Sequence, residues 1–239
     1  MLSENFPKLI HSLKRVFFLL FLFQIGCSTL PQYNSQDLSV LPCESNERFF
    51  FPIEFDKDGN RLFEDQVEPI VSHLQDKKPK NIYIFIHGWD KTASSAEKDY
   101  QELICRFYHK VSGKPDIEES HMVIGVFWDS TVFQNISDPF LLKWATYFPI
   151  RSRAEILAKT GFVDLLKLIQ GNLLADSASN PKLSVIGHSF GGRIVIKGLL
   201  KFLFPFNAQA TVFFSKLKQF QVILLNAAVS ESSIVAKGL

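Results

Sequence analysis

Ser189 is the residue of this sequence that is best placed to do chemistry. It is the centre of Gly187-His188-Ser189-Phe190-Gly191, a G-x-S-x-G pattern. The apolar, β-branched run at residues 183–186 predicts a buried strand before it, and the apolar run at residues 194–200 predicts a helix after it. A serine held in a sharp turn between a strand and a helix can attack a carbonyl carbon, because its hydroxyl projects from the turn. The alternative is a tight turn in which Ser189 only caps the helix.

The glycines of this turn have a physical task. Side chains at Gly187 and Gly191 would collide where the strand and the helix cross, and the Ser189 backbone between them is expected to be strained. The amide that follows Ser189, that of Phe190, would lie at a helix N-terminus and point at a developing oxyanion.

A second pattern lies about 100 residues upstream. Residues 81–86 form a near-continuous apolar run, which predicts a strand covered on both faces, and His87-Gly88-Trp89 follows at once. Gly88 lets the backbone turn so that the amide of Trp89 meets the amide of Phe190 across one oxyanion site. His87 is expected to brace this loop through hydrogen bonds rather than to act as a base, and His188 is expected to pack inside the turn.

With these two motifs, residues 81–230 resemble an α/β-hydrolase of the lipase/esterase type. The resemblance implies an α/β fold, with a mainly parallel sheet and helices on both faces. It also implies ester or amide hydrolysis through an acyl-enzyme on Ser189, with Trp89 and Phe190 as the amide donors. No cofactor is implied, and the sequence contains neither a phosphate-binding G-x-x-x-x-G-K-[ST] pattern nor an H-E-x-x-H or C-x-x-C metal motif.

The residues after Ser189 lack the rest of a catalytic triad. A hydrolase of this fold needs an acid and then a histidine there, because the serine is a poor nucleophile until an imidazole takes its proton. The sequence has no His and no Asp after Ser189, and Glu231 is the only carboxylate, so it is either the acid or a solvated loop residue. We count about six strands where the usual sheet has eight, so the last two, with the acid and the histidine, are expected to be missing.

Three functions follow as hypotheses. The first is a serine hydrolase with little activity in the chain as it stands. The second is a non-catalytic exported lipoprotein that uses the hydrolase fold for binding or scaffolding. The third is an active enzyme that borrows a base such as His87 or a residue of a partner protein.

The N-terminal segment, residues 1–26, predicts a signal peptide or a membrane anchor. Three basic residues precede the apolar run at residues 16–23, and Gly26-Cys27 fits a bacterial lipoprotein signal in which Cys27 is lipidated. Plain cleavage and an uncleaved anchor are the alternatives. Each of them exports the protein to the cell envelope, where it is membrane-anchored or periplasmic. Residues 27–47, rich in Ser, Pro, Gln and Asn, predict a flexible tether before a hydrolase domain at residues 48–239.

The charge balance argues against a polyanionic partner. The chain has a formal net charge of +2, and removal of residues 1–26, with three basic residues and one acidic residue, leaves 23 of each sign. The body contains no basic run, so neither nucleic acid nor anionic lipid is indicated, and any membrane contact is expected through the lipid or the apolar segment. Cys43 and Cys105 would either pair in an oxidising compartment or stay as thiols.

The remaining patterns predict further elements. Residues 48–55 and 61–63 flank Asp58-Gly59, which indicates an antiparallel hairpin. Residues 93–111 and 154–174 predict helices, and residues 121–128 and 220–226 predict buried strands. Between them, residues 129–153 form an insertion rich in aromatic residues. It would either cap the site over a greasy acyl substrate or belong to the ordinary core.

Overall fold

In the computed structural model of the chain, the described residues are 49–89, 91, 93–111, 120–131, 140–176, 178–204 and 208–228. The predicted signal or anchor at residues 1–26, the lipidation site Cys27 and the tether at residues 27–47 lie outside these ranges. So does Glu231, the candidate acid.

The core of the fold is a sheet of five strands. They are β1 (Phe50–Phe55), β2 (Asn81–Ile86), β3 (His121–Trp128), β4 (Lys182–His188) and β5 (Gln219–Leu225). Their order across the sheet is β1-β3-β2-β4-β5, and every neighbouring pair is parallel. The α/β class and the mainly parallel sheet predicted from the sequence are therefore confirmed.

Helices cover both faces of this sheet. They are α1 (Val67–Ser72), α2 (Ala93–Val111), α3 (Phe140–Lys159), α4 (Gly161–Ala175), α5 (Phe190–Leu203) and α6 (Ala208–Lys216). On one face, Tyr100 and Ile104 of α2 pack with Val123 and Phe127 of β3, whereas the larger cluster on the other face receives the remaining helices. No helix within the described ranges is long and apolar enough to span a bilayer.

Strands β2 and β3 explain why the sequence shows near-continuous apolar runs. Alternate residues of β2 turn to opposite faces, so that Ile84 packs in the larger cluster while Phe85 packs against the α2 cluster. Both faces are covered, so both sets of side chains are apolar.

The predicted antiparallel hairpin at residues 48–55 and 61–63 forms only in part, as a turn with one antiparallel bridge. Strand β1 pairs in parallel with β3, and only one isolated antiparallel bridge joins Phe55 to Arg61. The chain does turn at Asp58-Gly59, where the Asp56 carboxylate accepts the N–H of Asp58 at 2.9 Å and Gly59 has φ +77°. A short 3₁₀ helix, Glu64–Gln66, begins soon afterwards, and no second strand forms.

The aromatic insertion leads into α3. Residues 132–139 lie outside the described ranges, and from Phe140 the chain is helical as far as Lys159. Ile150, Ala154 and Leu157 of this helix are buried in the larger core cluster, whereas Phe148 is 67% exposed. The single helix predicted for residues 154–174 is two helices that break at Thr160, where Gly161 packs closely on Phe55.

Strand β5 forms one edge of the sheet within the described part of the chain. Its consecutive apolar residues Val222, Ile223, Leu224 and Leu225 are between 37% and 44% exposed. Cys105 of α2 is disulfide-bonded, and the other two cysteines of the sequence, Cys27 and Cys43, lie outside the described residues.

Candidate functional site

Ser189 joins the end of β4 to the start of α5 in a strained conformation. Its backbone has φ 52° and ψ −117°, a region that L-residues rarely adopt. A Cβ at Gly187 would lie 2.6 Å from the carbonyl carbon of Gly191, and a Cβ at Gly191 would lie 2.1 Å from the carbonyl oxygen of Ile86. Only glycine fits at either position, so the two flanking glycines allow the turn to form.

Backbone hydrogen bonds from β5 and the residues after it hold this turn. The Ser189 N–H donates to Leu225 O at 2.9 Å, and Ser189 O accepts from the N–H of Gly192 at 3.0 Å and of Ala228 at 2.9 Å. The Ser189 side chain makes no capping hydrogen bond to α5 and is partly exposed. The strain at Ser189 is thus supported from two sides, and the hydroxyl is not used as a helix cap.

The loop after β2 lies directly against Ser189. Strands β2 and β4 are neighbours, and a Cβ at Gly88 would lie 2.8 Å from the Ser189 Cβ and 2.9 Å from His188 Nδ1. Within the described part of the chain, no hydrogen bond uses the amide of Trp89 or of Phe190. Neither amide is thus taken up by another group within the described residues, as an oxyanion hole requires.

His87 is a fully enclosed brace of this loop. The Trp128 N–H donates to His87 Nε2 at 3.3 Å, so the proton is on Nδ1, which donates to Gly88 O at 2.9 Å. Burial lowers the pKa of His87 to about 4, which keeps the ring neutral. The backbone N–H of His87 donates to the Tyr100 hydroxyl at 3.1 Å. Both ring nitrogens are engaged, so His87 has none left to take the Ser189 proton.

Residues at the end of β3 fix the same loop, and sequence reasoning missed them. The Trp128 indole N–H donates to His87 O at 3.0 Å. The Ser130 hydroxyl donates to Lys91 O at 2.9 Å and accepts from the Lys91 N–H at 3.1 Å. The loop that carries Trp89 is therefore held at both ends by one short segment. The only sequence signal was that polar residues follow β3 at the edge where Ser189 lies.

Helix α3 anchors that segment in turn. Arg153 donates from Nη1 to Asp129 Oδ2 and to Thr131 O, both at 2.8 Å. Asp129 is buried, and burial raises its pKa although the Arg153 charge opposes the shift.

A second, partly buried ion pair ties α3 to the serine helix. Arg193 of α5 donates from Nε to Glu155 Oε1 at 3.2 Å and reaches Ala228 O at 3.4 Å. Partial burial opposes ionisation of Glu155, but hydrogen bonds from Arg193 and Arg151 hold its pKa below its usual value. The pair thus fixes α3, α5 and the segment after β5 to one another.

The two candidate oxyanion residues also share an aromatic contact. Trp89 and Phe190 meet edge to face with ring centroids 6.1 Å apart, and Tyr147 of α3 lies 5.5 Å from Phe190 and 6.4 Å from Trp89. Tyr147 belongs to the insertion in which a cap was predicted. The Phe190 ring is only 1% exposed and belongs to the core, so only Trp89 and Tyr147, which are partly exposed, present apolar surface here.

The structure brings together most of the predicted site residues, namely His87, Gly88, Trp89, Gly187, Ser189, Phe190 and Gly191. Among the described residues, no histidine hydrogen-bonds to the Ser189 hydroxyl, and no cluster of His, Cys, Asp and Glu could hold a metal ion. Comparison of the chain with known protein families, with curated proteins and with solved structures found no match.

Proposed function

We propose that the chain carries the nucleophile and the oxyanion hole of a serine hydrolase that cleaves esters or amides through an acyl-enzyme on Ser189. The observation that carries this proposal is the strained Ser189 backbone in contact with the Gly88 loop. Strain of this kind costs about 1–3 kcal/mol and persists where the surrounding structure enforces it, often for catalysis.

The chemistry follows from the two available amides. Attack of the Ser189 hydroxyl on a carbonyl carbon would place negative charge on the carbonyl oxygen, and the N–H groups of Trp89 and Phe190 would donate to it. Each such donor is worth about 10²–10³ in kcat. The partly exposed rings of Trp89 and Tyr147, which pack on the buried Phe190 ring, would suit an apolar acyl group or leaving group.

The catalytic base is the part that the described residues do not supply. His87 is fully engaged in the loop, and no other described histidine bonds to Ser189. Removal of the base from a catalytic triad lowers kcat by about 10⁶ and leaves about 10³–10⁴ over the uncatalysed rate. Low turnover is therefore expected unless an imidazole is added.

A covalent probe with added imidazole tests the proposal. The chain is incubated with a fluorophosphonate, and the modified residue is located by peptide mass spectrometry. Free imidazole in solution should act as the base, so the rate of labelling at Ser189 should rise with its concentration. Ser189→Ala should abolish the labelling. Ser215→Ala, which removes an exposed hydroxyl that donates to Val212 O, should leave it unchanged.

The second candidate is a protein that binds without turnover. The observation that favours it is that the Ser189 hydroxyl has no imidazole partner within the described residues. Under this alternative, Ser189 stays unlabelled at every imidazole concentration, although the protein remains folded by circular dichroism. That result would remove the hydrolase proposal.

Export to the cell envelope, with Cys27 lipidated, is proposed together with this activity. The disulfide of Cys105 supports an oxidising compartment, because disulfides are rare in reducing cytosol. Mass spectrometry of the protein from expressing bacterial cells tests the anchor. The mature chain should begin at a diacylated Cys27, and Cys27→Ser should be recovered without lipid.

A further inference from the structure

The hydrogen-bond ladder between β2 and β3 changes its character where β2 ends. Successive backbone groups of a strand point in turn to its two neighbours. The Lys182 N–H of β4 donates to Lys80 O at 2.8 Å, so the even-numbered residues of β2 bond with β4 and the odd-numbered ones with β3. Ile86 is the register partner of Val126. A regular parallel ladder would therefore continue with a bond from the His87 N–H to Val126 O.

The Tyr100 hydroxyl occupies this position in the ladder. It accepts the His87 N–H at 3.1 Å and donates towards Val126 O at 2.6 Å and Phe85 O at 3.2 Å. Tyr100 belongs to α2 and is only 1% exposed. Burial raises the pKa of Tyr100 well above its usual value, so the hydroxyl keeps the proton that it donates. A side chain from α2 thus bridges the two strands at the residue where the oxyanion loop begins.

The next position of the ladder is also filled by side chains. A regular ladder would join the Trp128 N–H to His87 O. Instead, the Trp128 N–H donates to His87 Nε2 at 3.3 Å, and His87 O accepts the Trp128 indole N–H at 3.0 Å. The backbone groups are thus satisfied without closing the two strands onto each other. The chain can then turn at Gly88 towards Ser189, whose Cβ would lie 2.8 Å from a Cβ at Gly88.

We propose that Tyr100 is a positioning residue of the oxyanion hole, because its hydroxyl keeps the β2–β3 ladder open at His87 and so places the Trp89 amide beside Ser189. This inference rests on the proposed function. Without the hydroxyl, the His87 N–H and Val126 O would be buried and unpaired, which is costly, so they would close into a direct bond. Strand β2 lies between β3 and β4. Closure onto β3 would therefore draw the loop away from the serine at the end of β4.

Two variants that differ only in position test the proposal in the full chain. Tyr100→Phe removes the hydroxyl and leaves the ring in its cluster, where Phe127 packs edge to face with ring centroids 4.8 Å apart. Tyr83→Phe is the matched control. It makes the same chemical change earlier in β2, at a partly buried ring that stacks on His121.

The first measurement is the amide chemical shifts of residues 87–89, by NMR of the unmodified proteins. The second is the rate of fluorophosphonate labelling at Ser189 in imidazole. Tyr100→Phe should move all three amide signals and slow the labelling by about 10²-fold, the loss expected for a displacement of about 1 Å or for one lost oxyanion donor. Tyr83→Phe should leave these signals in place and label at the wild-type rate.

The phosphonyl adduct separates positioning from stability. In the wild-type adduct the Trp89 amide proton should move downfield, because it donates to the phosphonyl oxygen, and in the Tyr100→Phe adduct this shift should be lost. A hydroxyl that only stabilised the fold would lower the urea midpoint when removed but would leave the Trp89 shift of the adduct unchanged. That result would overturn the proposal.

Two other results would also overturn it, and they are distinct from failure of the hydrolase proposal. Unmoved amides of residues 87–89 in Tyr100→Phe would show that the hydroxyl does not hold the ladder open. Labelling of this variant at the wild-type rate would remove the positioning role and leave the hydrolase proposal standing. Absence of labelling in the wild type would instead remove the hydrolase function, and the oxyanion role of Tyr100 with it. If Tyr100→Phe fails to fold, the wild type decides: its Tyr100 hydroxyl proton should shift when Ser189 is phosphonylated, and an unchanged signal would contradict the proposal.

Discussion

Replacement of Gly191 by alanine should break the contact between the serine helix and β2. The added Cβ would lie 2.1 Å from Ile86 O and 2.7 Å from His87 O. Both oxygens are backbone atoms at the end of a buried strand and cannot rotate away, so the start of α5 must move by roughly 1 Å. Overpacking against rigid neighbours costs about 3 kcal/mol, and for a domain of this size the melting temperature should fall by about 6–12 °C.

Gly171 provides a matched control for this substitution. It lies in α4, and a Cβ there would meet nothing within 4 Å. Gly171→Ala should therefore show only the helix propensity of alanine, a stabilisation of about 1 kcal/mol. The same chemical change in two helices is expected to act with opposite signs. Urea unfolding followed by far-UV circular dichroism measures both free energies, provided that the two m-values agree.

The two variants should also differ in reactivity. A displacement of about 1 Å at a nucleophile lowers its rate by about 10²-fold, so fluorophosphonate labelling of Ser189 in imidazole should be slow in Gly191→Ala and normal in Gly171→Ala. If Gly191→Ala is as stable as the wild type, the close approach of α5 to β2 is refuted, and the geometry argued for Ser189 is refuted with it.

Three further predictions follow. His87 has a pKa of about 4 in the fold and its ordinary value of 6.5 when unfolded, so its contribution to the free energy of unfolding is complete above pH 6.5 and is lost as the pH falls to 4. The free energy of unfolding from urea titrations should fall by about 3 kcal/mol over this range, and by less in His87→Gln. Ser130→Ala should lower the free energy of unfolding in urea by about 2 kcal/mol and slow the labelling of Ser189, because the backbone N–H and C=O of Lys91 both lose their hydrogen bonds to the Ser130 hydroxyl. Unchanged labelling would show that Ser130 does not position the loop. Val222→Lys with Leu224→Lys should reduce aggregation by light scattering, because both residues are exposed on an edge strand; unchanged scattering would count against β5 as the aggregating surface.

The elements that the sequence predicted well are those whose pattern is local. The strand predictions at residues 81–86 and 121–128 coincide with β2 and β3, and the helix prediction at residues 93–111 coincides with α2. A strand covered on both faces shows one unbroken apolar run, and a surface helix shows its own period, so neither depends on knowing the partner. The turn at Ser189 was equally local, since all its glycines lie within five residues.

The predictions that failed depended on distant partners. The turn at Asp58-Gly59 resembled a hairpin, but β1 pairs with β3, about 70 residues away, because its residues are buried on both faces. The hydrogen bonds of Ser130 to Lys91 span 39 residues and use only backbone groups of the loop. Nothing in the local sequence distinguishes such a serine from any other polar residue after a strand.

The supports of Ser189 come from three different strands, and they are unequally protected. Strand β2 supplies the carbonyl oxygens against which Gly191 packs, and β3 holds the loop with Gly88 through His87. Strand β5 supplies Leu225 O, the acceptor of the Ser189 N–H, yet Leu225 is 44% exposed. Strain at the serine persists only while all these contacts hold. Any chain segment that covered β5 would therefore also stabilise the nucleophile, because the same strand presents the exposed apolar face and the bond to Ser189.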